Sequence, residues 1–184
     1  TVSPRAAELL KQRKSPPRTW YFDIGLIADY LLESHRYHHT ASATMFYALH
    51  EGLTLIEEEG LAQRCERHHE THRQFVKAIE AMGLEMHVAN SADRLWTLNT
   101  PRVPAGVDDA KVRQYLLAER NIEIAGGFGP LAGKVFRIGL MGHGSTPENT
   151  LLILEALDAA LRSAGYTPAG DGRAAAEKRL GAVA

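Results

Sequence analysis

The chain has 184 residues, 45% hydrophobic and 23% charged, with a formal net charge of -1. That suits one mid-sized globular domain, or slightly more, and excludes wholesale disorder. With 21 Lys and Arg against 22 Asp and Glu there is no basic excess, so nucleic acid and anionic membrane surfaces are not expected as partners.

Thr1-Val2-Ser3-Pro4-Arg5 opens no signal-peptide pattern, and no apolar run approaches the ~20 residues of a membrane-crossing helix. A cytoplasmic location is expected. The start at Thr1 rather than Met leads us to expect a piece of a longer polypeptide. Residues 5–14 read as a short basic helix with Ala6, Ala7, Leu9 and Leu10 on its apolar side. It stops at Ser15-Pro16-Pro17, because proline lacks an N–H and pushes the preceding residue out of the helical region. After the aromatic cluster Trp20-Tyr21-Phe22, residues 23–33 are expected to be helical, with Ile24, Ile27, Ala28 and Leu31 on one side. His35 to Thr40 is polar and interrupts the pattern. Met45, Leu49, Leu53 and Ile56 then define a long helix, which breaks or bends at Glu57-Glu58-Glu59-Gly60. Residues 61–82 continue as helix through Leu61, Cys65, Phe75, Val76, Ile79 and Met82, with Gly83 closing it.

Leu84 to Val88 and Trp96 to Val103 read as strands, the second with Pro101 at an edge or end. Asp108 to Arg120 is a helix with Val112, Tyr115, Leu116 and Leu117 inward. Ile122 to Ile124 is a short strand, Gly126 to Pro130 a loop, and Val135 to Met141 a strand. Thr146-Pro147-Glu148 carries the N-cap and first-turn proline of a helix that Leu151, Leu154, Leu157 and Leu161 extend to near Gly165. Residues 166–184, rich in Ala, Gly and Arg, are expected to be a loosely packed, flexible tail. Residues 61–165 therefore describe a small α+β domain, an antiparallel sheet with helices on one face. Residues 1–60 do not make a domain alone, because their apolar helix faces need something to pack against. The boundary is placed near Gly60.

Four places carry candidate chemistry. Arg137 interrupts the apolar run Val135-Phe136-Arg137-Ile138. Alternation would put it on the wet face of a half-buried strand; alternatively, its planar fork clamps a ligand carboxylate through two oxygens. Tyr37-His38-His39-Thr40 precedes the long helix. It is either a polar turn with Thr40 as N-cap or a set of hydroxyls and imidazoles that holds an anion such as phosphate. Cys65, His68, His69 and His72 share a helical face at spacings that suit a transition metal. Their charged neighbours Arg64, Glu66, Arg67, Glu70 and Arg73 favour a solvated face instead. His69-Glu70-Thr71-His72 is also one residue short of the metalloprotease spacing, so no metal is expected. Cys65 is the one cysteine, which excludes an intrachain disulfide. Gly126-Gly127-Phe128-Gly129-Pro130 lacks the Lys-Ser or Lys-Thr of a phosphate loop and reads as a sharp, close-packed turn.

Taken in order, several segments resemble the alanine–glyoxylate and serine–pyruvate aminotransferases. They are Tyr37 to Thr40 with Met45 to Gly52, Val103-Pro104-Ala105-Gly106, Ile122 to Pro130, and Gly133-Lys134-Val135-Phe136-Arg137-Ile138-Gly139-Leu140-Met141-Gly142, the last being the most specific. That family is class V, pyridoxal-phosphate-dependent and of fold type I. The resemblance runs from about Thr1 to about Gly165 and covers the C-terminal half of such an enzyme. It implies an α/β fold in which residues 1–60 end the large cofactor-binding domain and begin the linking helix, and 61–165 form the small domain. It implies transfer of an amino group from a small amino acid (alanine or serine) to a small 2-oxo acid (glyoxylate or pyruvate). Pyridoxal 5′-phosphate is the implied cofactor, and a homodimer sharing its active sites the implied assembly. By the same resemblance, Arg137 binds the substrate α-carboxylate, and Tyr37 and Thr40 reach the cofactor phosphate of the neighbouring subunit. The family's cofactor lysine lies upstream. Lys11, Lys14, Lys77, Lys111, Lys134 and Lys178 match no lysine motif, so no residue of this chain is assigned as catalytic. Ser42 stands where the family commonly has proline. Two other readings compete: a cysteine desulfurase, which needs its cysteine on a mobile loop, and a non-catalytic interaction or metal-binding module derived from the small domain. The His-rich helix and the absent lysine favour the module, whereas Arg137, Tyr37 and Thr40 oppose it.

Overall fold

The computed structural model describes residues 1–180. It forms two units, residues 1–54 and the residues from Leu55 onward, so the division falls upstream of the one expected near Gly60.

In the first unit, helix ends follow from capping chemistry. Ser3 accepts the Ala6 N–H at the head of α1 (Pro4–Lys11), where Pro4 needs no N–H. Asp23 accepts from Gly25 and Leu26 at the head of α2 (Ile24–Leu32). Helix α3 (Ala43–Glu59) begins from Ser42, whose carbonyl accepts the Met45 and Phe46 N–H groups. Thr40 is therefore not its N-cap. None of these three helices contains a buried residue. Met45, Phe46, Tyr47, Leu49 and Leu53 are each more than half exposed, a large apolar face of the kind that marks an interaction surface.

The left-handed Gly60 (φ 85°) separates α3 from α4 (Leu61–Ala81), so the glycine is a break rather than a bend. Four elements of the second unit converge on one core. Phe75, Ile79 and Met82 come from α4 and its end, and Val112 and Leu116 from α5 (Asp109–Arg120). Phe136 and Ile138 come from β3 (Phe136–Gly139), and Leu154, Leu157 and Leu161 from α6 (Pro147–Ser163). Asp108 caps α5 through Ala110, and Asn121 ends it in the left-handed region at φ 52°. Thr146 caps α6 through Asn149, with Pro147 in the first turn as expected.

The strands are shorter than the sequence suggests. β1 (Leu98–Asn99) and β2 (Ala125–Gly126) flank β3 in an antiparallel sheet of order β1-β3-β2. Leu98 faces Gly139 and Ala125 faces Arg137 in the ladder. The expected strand over Leu84 to Val88 is reduced to a bridge between Met86 and Pro101. That over Ile122 to Ile124 is displaced to Ala125–Gly126, while Ile122 and Ile124 pack against the core.

The expectation of a loose tail is wrong for residues 166–180. Tyr166 donates its hydroxyl towards the carbonyls of Met82 and Gly83, and the Ala169 N–H donates to Met82. Helix α7 (Gly172–Leu180) packs on α4 and α6, with Ala176 fully buried. A Cβ on Gly172 would sit 2.6 Å from the Met82 sulfur. The small residues that read as loose are what permit this close approach. Residues 181–184 lie outside the described residues. Among the described residues, no helix is long and apolar enough to cross a membrane.

Candidate active site

In the first unit, the chain leaves α2 through His35, a non-glycine residue held left-handed at φ 55°. The Trp20 ring then stacks on His38 at 4.1 Å, and His38 Nε2 donates to the Trp20 carbonyl at 3.1 Å. His38 Nδ1 lies 2.7 Å from His39 Nδ1. His38 is thus buried, while Tyr37 is 67% exposed. The Tyr37 ring meets Tyr30 edge-on at 5.9 Å. Its Oη lies 2.7 Å from Thr40 Oγ1. Of the four residues singled out in the sequence, the structure therefore brings together the two hydroxyls and commits His38 to the Trp20 backbone. The aromatic cluster, to which the sequence assigns no task, anchors the turn. Two adjacent exposed hydroxyls are a donor set that suits an oxyanion.

In the second unit, β3 alternates as expected: Phe136 and Ile138 are buried, Arg137 is partly exposed. Arg137 Nε donates to the Gly126 carbonyl at 2.7 Å, and its guanidinium lies over the Phe128 ring, 5.0 Å from the centroid. Among the described residues no acidic side chain is within ion-pair distance of it. Among those same residues, its Nη1 and Nη2 groups are left without a protein partner. The supporting turn is tight. Gly127 donates to the Val135 carbonyl at 2.9 Å, and a Cβ on Gly127 would lie 2.0 Å from the Leu131 carbonyl oxygen.

The shared face of α4 comes apart. Cys65 is exposed, in a helix rather than on the loop a desulfurase needs. His69 stacks on Trp96 at 4.4 Å. His68 and His72 are buried, which corrects the expectation of a solvated face. His68 donates from Nδ1 to the Arg64 carbonyl (2.6 Å) and accepts the Gly142 N–H at Nε2 (2.9 Å). His72 Nδ1 donates to Asn99 Oδ1 at 2.7 Å. Burial, more than any charge nearby, lowers the affinity of His72 for a second proton.

The same helix clamps the loop that follows β3, a role the sequence does not announce. Arg67 Nη1 donates to the carbonyls of Gly142 (3.1 Å) and Ser145 (2.5 Å), while its Nε and Nη2 grip Glu59 at 2.5 and 2.9 Å. Thr71 Oγ1 lies 2.7 Å from Ser145 Oγ. The Arg67 hydrogen bonds, with Arg64 adding to them, hold the Glu59 carboxyl down at about 2. A carboxyl depressed in the folded state stabilises above its unfolded pKa, and that contribution fades as pH falls towards the folded value. Glu59→Gln is therefore expected to destabilise the fold at neutral pH. The gap between variant and parent should close between about pH 4.5 and about 2. Urea unfolding midpoints at pH 7, 4 and 3 check this; a gap that stays constant would show that Glu59 acts through shape rather than charge.

No profile of a known protein family matches the chain. Individual proteins do. It is 41% identical over 166 residues to an alanine–glyoxylate aminotransferase of Drosophila melanogaster, covering 89% of this chain and 42% of that protein. It is 44% identical over 141 residues to the (S)-ureidoglycine–glyoxylate transaminase of Bacillus subtilis, covering 77% of this chain and 34% of that one. The crystal structure of the Bacillus subtilis ureidoglycine–glyoxylate aminotransferase superposes with a TM-score of 0.92 at 38% identity, over 98% of this chain and 47% of the other. The fold is thus that of part of a fold-type I aminotransferase. The chain is similar to the C-terminal half of the class V family of alanine–glyoxylate aminotransferases. It spans 34% to 42% of the length of these two curated relatives.

Proposed function

We propose that this chain furnishes the substrate-carboxylate site and the phosphate-reaching hydroxyls of a pyridoxal-phosphate-dependent aminotransferase. The enzyme moves an amino group from a small amino acid, alanine or serine, to glyoxylate or pyruvate. One observation carries the reading: Arg137 is held at Nε and on one ring face, has no acidic partner among the described residues, and keeps Nη1 and Nη2 for a ligand. A guanidinium fork matches a carboxylate in two parallel hydrogen bonds. Holding the carboxylate this way fixes how the substrate Cα is presented, which bears on rate as well as on affinity.

Tyr37 and Thr40, with their oxygens 2.7 Å apart and exposed, fit the cofactor phosphate as hydroxyl donors. The cofactor, when bound, supplies an electron sink for the bonds changing at the substrate Cα. The lysine that holds it has no counterpart in this chain. By the resemblance to the family, Tyr37 and Thr40 serve the neighbouring subunit, so the working form is a homodimer. A cytoplasmic setting accords with the single, exposed, unpaired cysteine. Relatives named for glyoxylate as acceptor support that acceptor here.

The holoenzyme that carries this chain is expected to convert alanine and glyoxylate into pyruvate and glycine, with serine as an alternative donor. Product formation followed by chromatography tests this. A holoenzyme loaded with cofactor that turns over neither donor, with either acceptor, would sink the reading.

A further inference from the structure

We propose that Phe128 is a positioning residue for Arg137 and, through it, for the substrate carboxylate; this rests on the reading of Arg137 given above. Phe128 is 72% exposed, and the apolar core does not explain its place. It stands in a run of glycines, Gly126-Gly127-Phe128-Gly129, in which a large exposed aromatic is out of character. Its backbone is fixed from both sides. Gly127 is locked to Val135 and pressed against the Leu131 carbonyl, and the Phe128 carbonyl accepts the Leu131 N–H at 3.1 Å as the short turn Gly129–Leu131 closes.

The ring is thereby set beneath the Arg137 guanidinium, 5.0 Å from its central carbon. A guanidinium over an aromatic face is drawn to the ring quadrupole, and Arg is well suited because it is planar and weakly hydrated. The Gly126 carbonyl takes Nε at 2.7 Å. Together these two contacts use one ring face and one edge of the guanidinium. The edge that remains is Nη1/Nη2, the one that matches both oxygens of a carboxylate. An arginine on a part-exposed strand otherwise has several rotamers to lose on binding; a preset one loses less. Phe128 would therefore affect how well carboxylates bind, rather than the chemistry after they bind.

The test uses the holoenzyme with Phe128→Leu, Phe128→Tyr and Arg137→Lys. Phe128→Leu keeps apolar bulk but removes the ring. It is expected to raise KM for the amino donor and the oxo acid alike by about three- to ten-fold, with kcat within about two-fold. The inhibition constant of a simple carboxylate such as acetate should weaken by a similar factor. Phe128→Tyr keeps the ring face and should restore the parent values. Because Phe128 is exposed, the melting temperature of Phe128→Leu should match the parent. Unchanged KM in Phe128→Leu, or a loss confined to kcat, overturns the proposal. If Arg137→Lys raises KM while Phe128→Leu does not, Phe128 alone loses its role. If neither variant moves KM or carboxylate inhibition, the carboxylate reading of Arg137 falls, and the role of Phe128 with it.

Discussion

Arg137→Ala in the holoenzyme is expected to raise KM for both the amino donor and the oxo acceptor by about two orders of magnitude. The size follows from losing two charge-assisted hydrogen bonds, each contributing about 1.5–3 kcal/mol, with part returned by water in a partly exposed site. Both substrates suffer because each carries the same α-carboxylate. Lysine should rescue only in part, since an ammonium lacks the planar fork and cannot lie over Phe128 while donating to Gly126 in the same way. The contrasting view, an arginine merely sitting on the wet face of β3, expects no kinetic change. Steady-state kinetics with both substrates decide between them. An amine substrate without a carboxylate is the internal control: parent and variant should handle it equally.

Gly127→Ala is expected to carry the largest cost to stability near the site, about 2–4 kcal/mol, by forcing backbone strain into the turn. The added Cβ would lie 2.0 Å from the Leu131 oxygen, 2.6 Å from its carbon and 3.0 Å from Val135 Cγ2. The first two are backbone atoms held by hydrogen bonds on both sides of the turn, so no side chain can swing clear. Relief requires moving the segment that carries Phe128, and carboxylate affinity should fall with stability. Gly52→Ala is the matched control. It lies within α3, where an added Cβ would meet nothing within 4 Å, and alanine there should be neutral or stabilising by up to about 1 kcal/mol. Urea denaturation of both variants, read beside KM, separates a local steric effect from a general intolerance of alanine for glycine.

The two predictions differ in how far a sequence reader could have reached them. Arg137 stands out because a charge interrupts an apolar strand, and its alternation with Phe136 and Ile138 survives in the structure. Its planar fork already suggested a carboxylate ligand, and the resemblance to aminotransferases made that the substrate α-carboxylate. Gly127 and Phe128 were legible only as a sharp turn. That the turn presses on Leu131 and sets a ring under the guanidinium depends on where residues 131 and 137 come to lie. The same holds for the clamp in which Arg67, already paired with Glu59, holds Gly142 and Ser145 from 75 and 78 residues away along the chain.

What the chain determined locally are its helix ends. Ser3, Asp23, Asp108 and Thr146 each cap a helix within three residues of their own position, and proline and glycine stop the chain where their backbone chemistry requires. Such signals act over one turn and need no partner. The tertiary structure decided everything that depends on a neighbour. His68 and His72 sit among charged residues in sequence, yet are buried because one side of α4 packs inward. Residues 166–180 look loose by composition, yet their small side chains let α7 close on Met82. Leu84 to Val88 has the alternation of a strand but finds one bridge, since a strand exists only where a second chain segment offers its hydrogen bonds. Burial and pairing are properties of two segments at once, and a single stretch of sequence specifies only one of them.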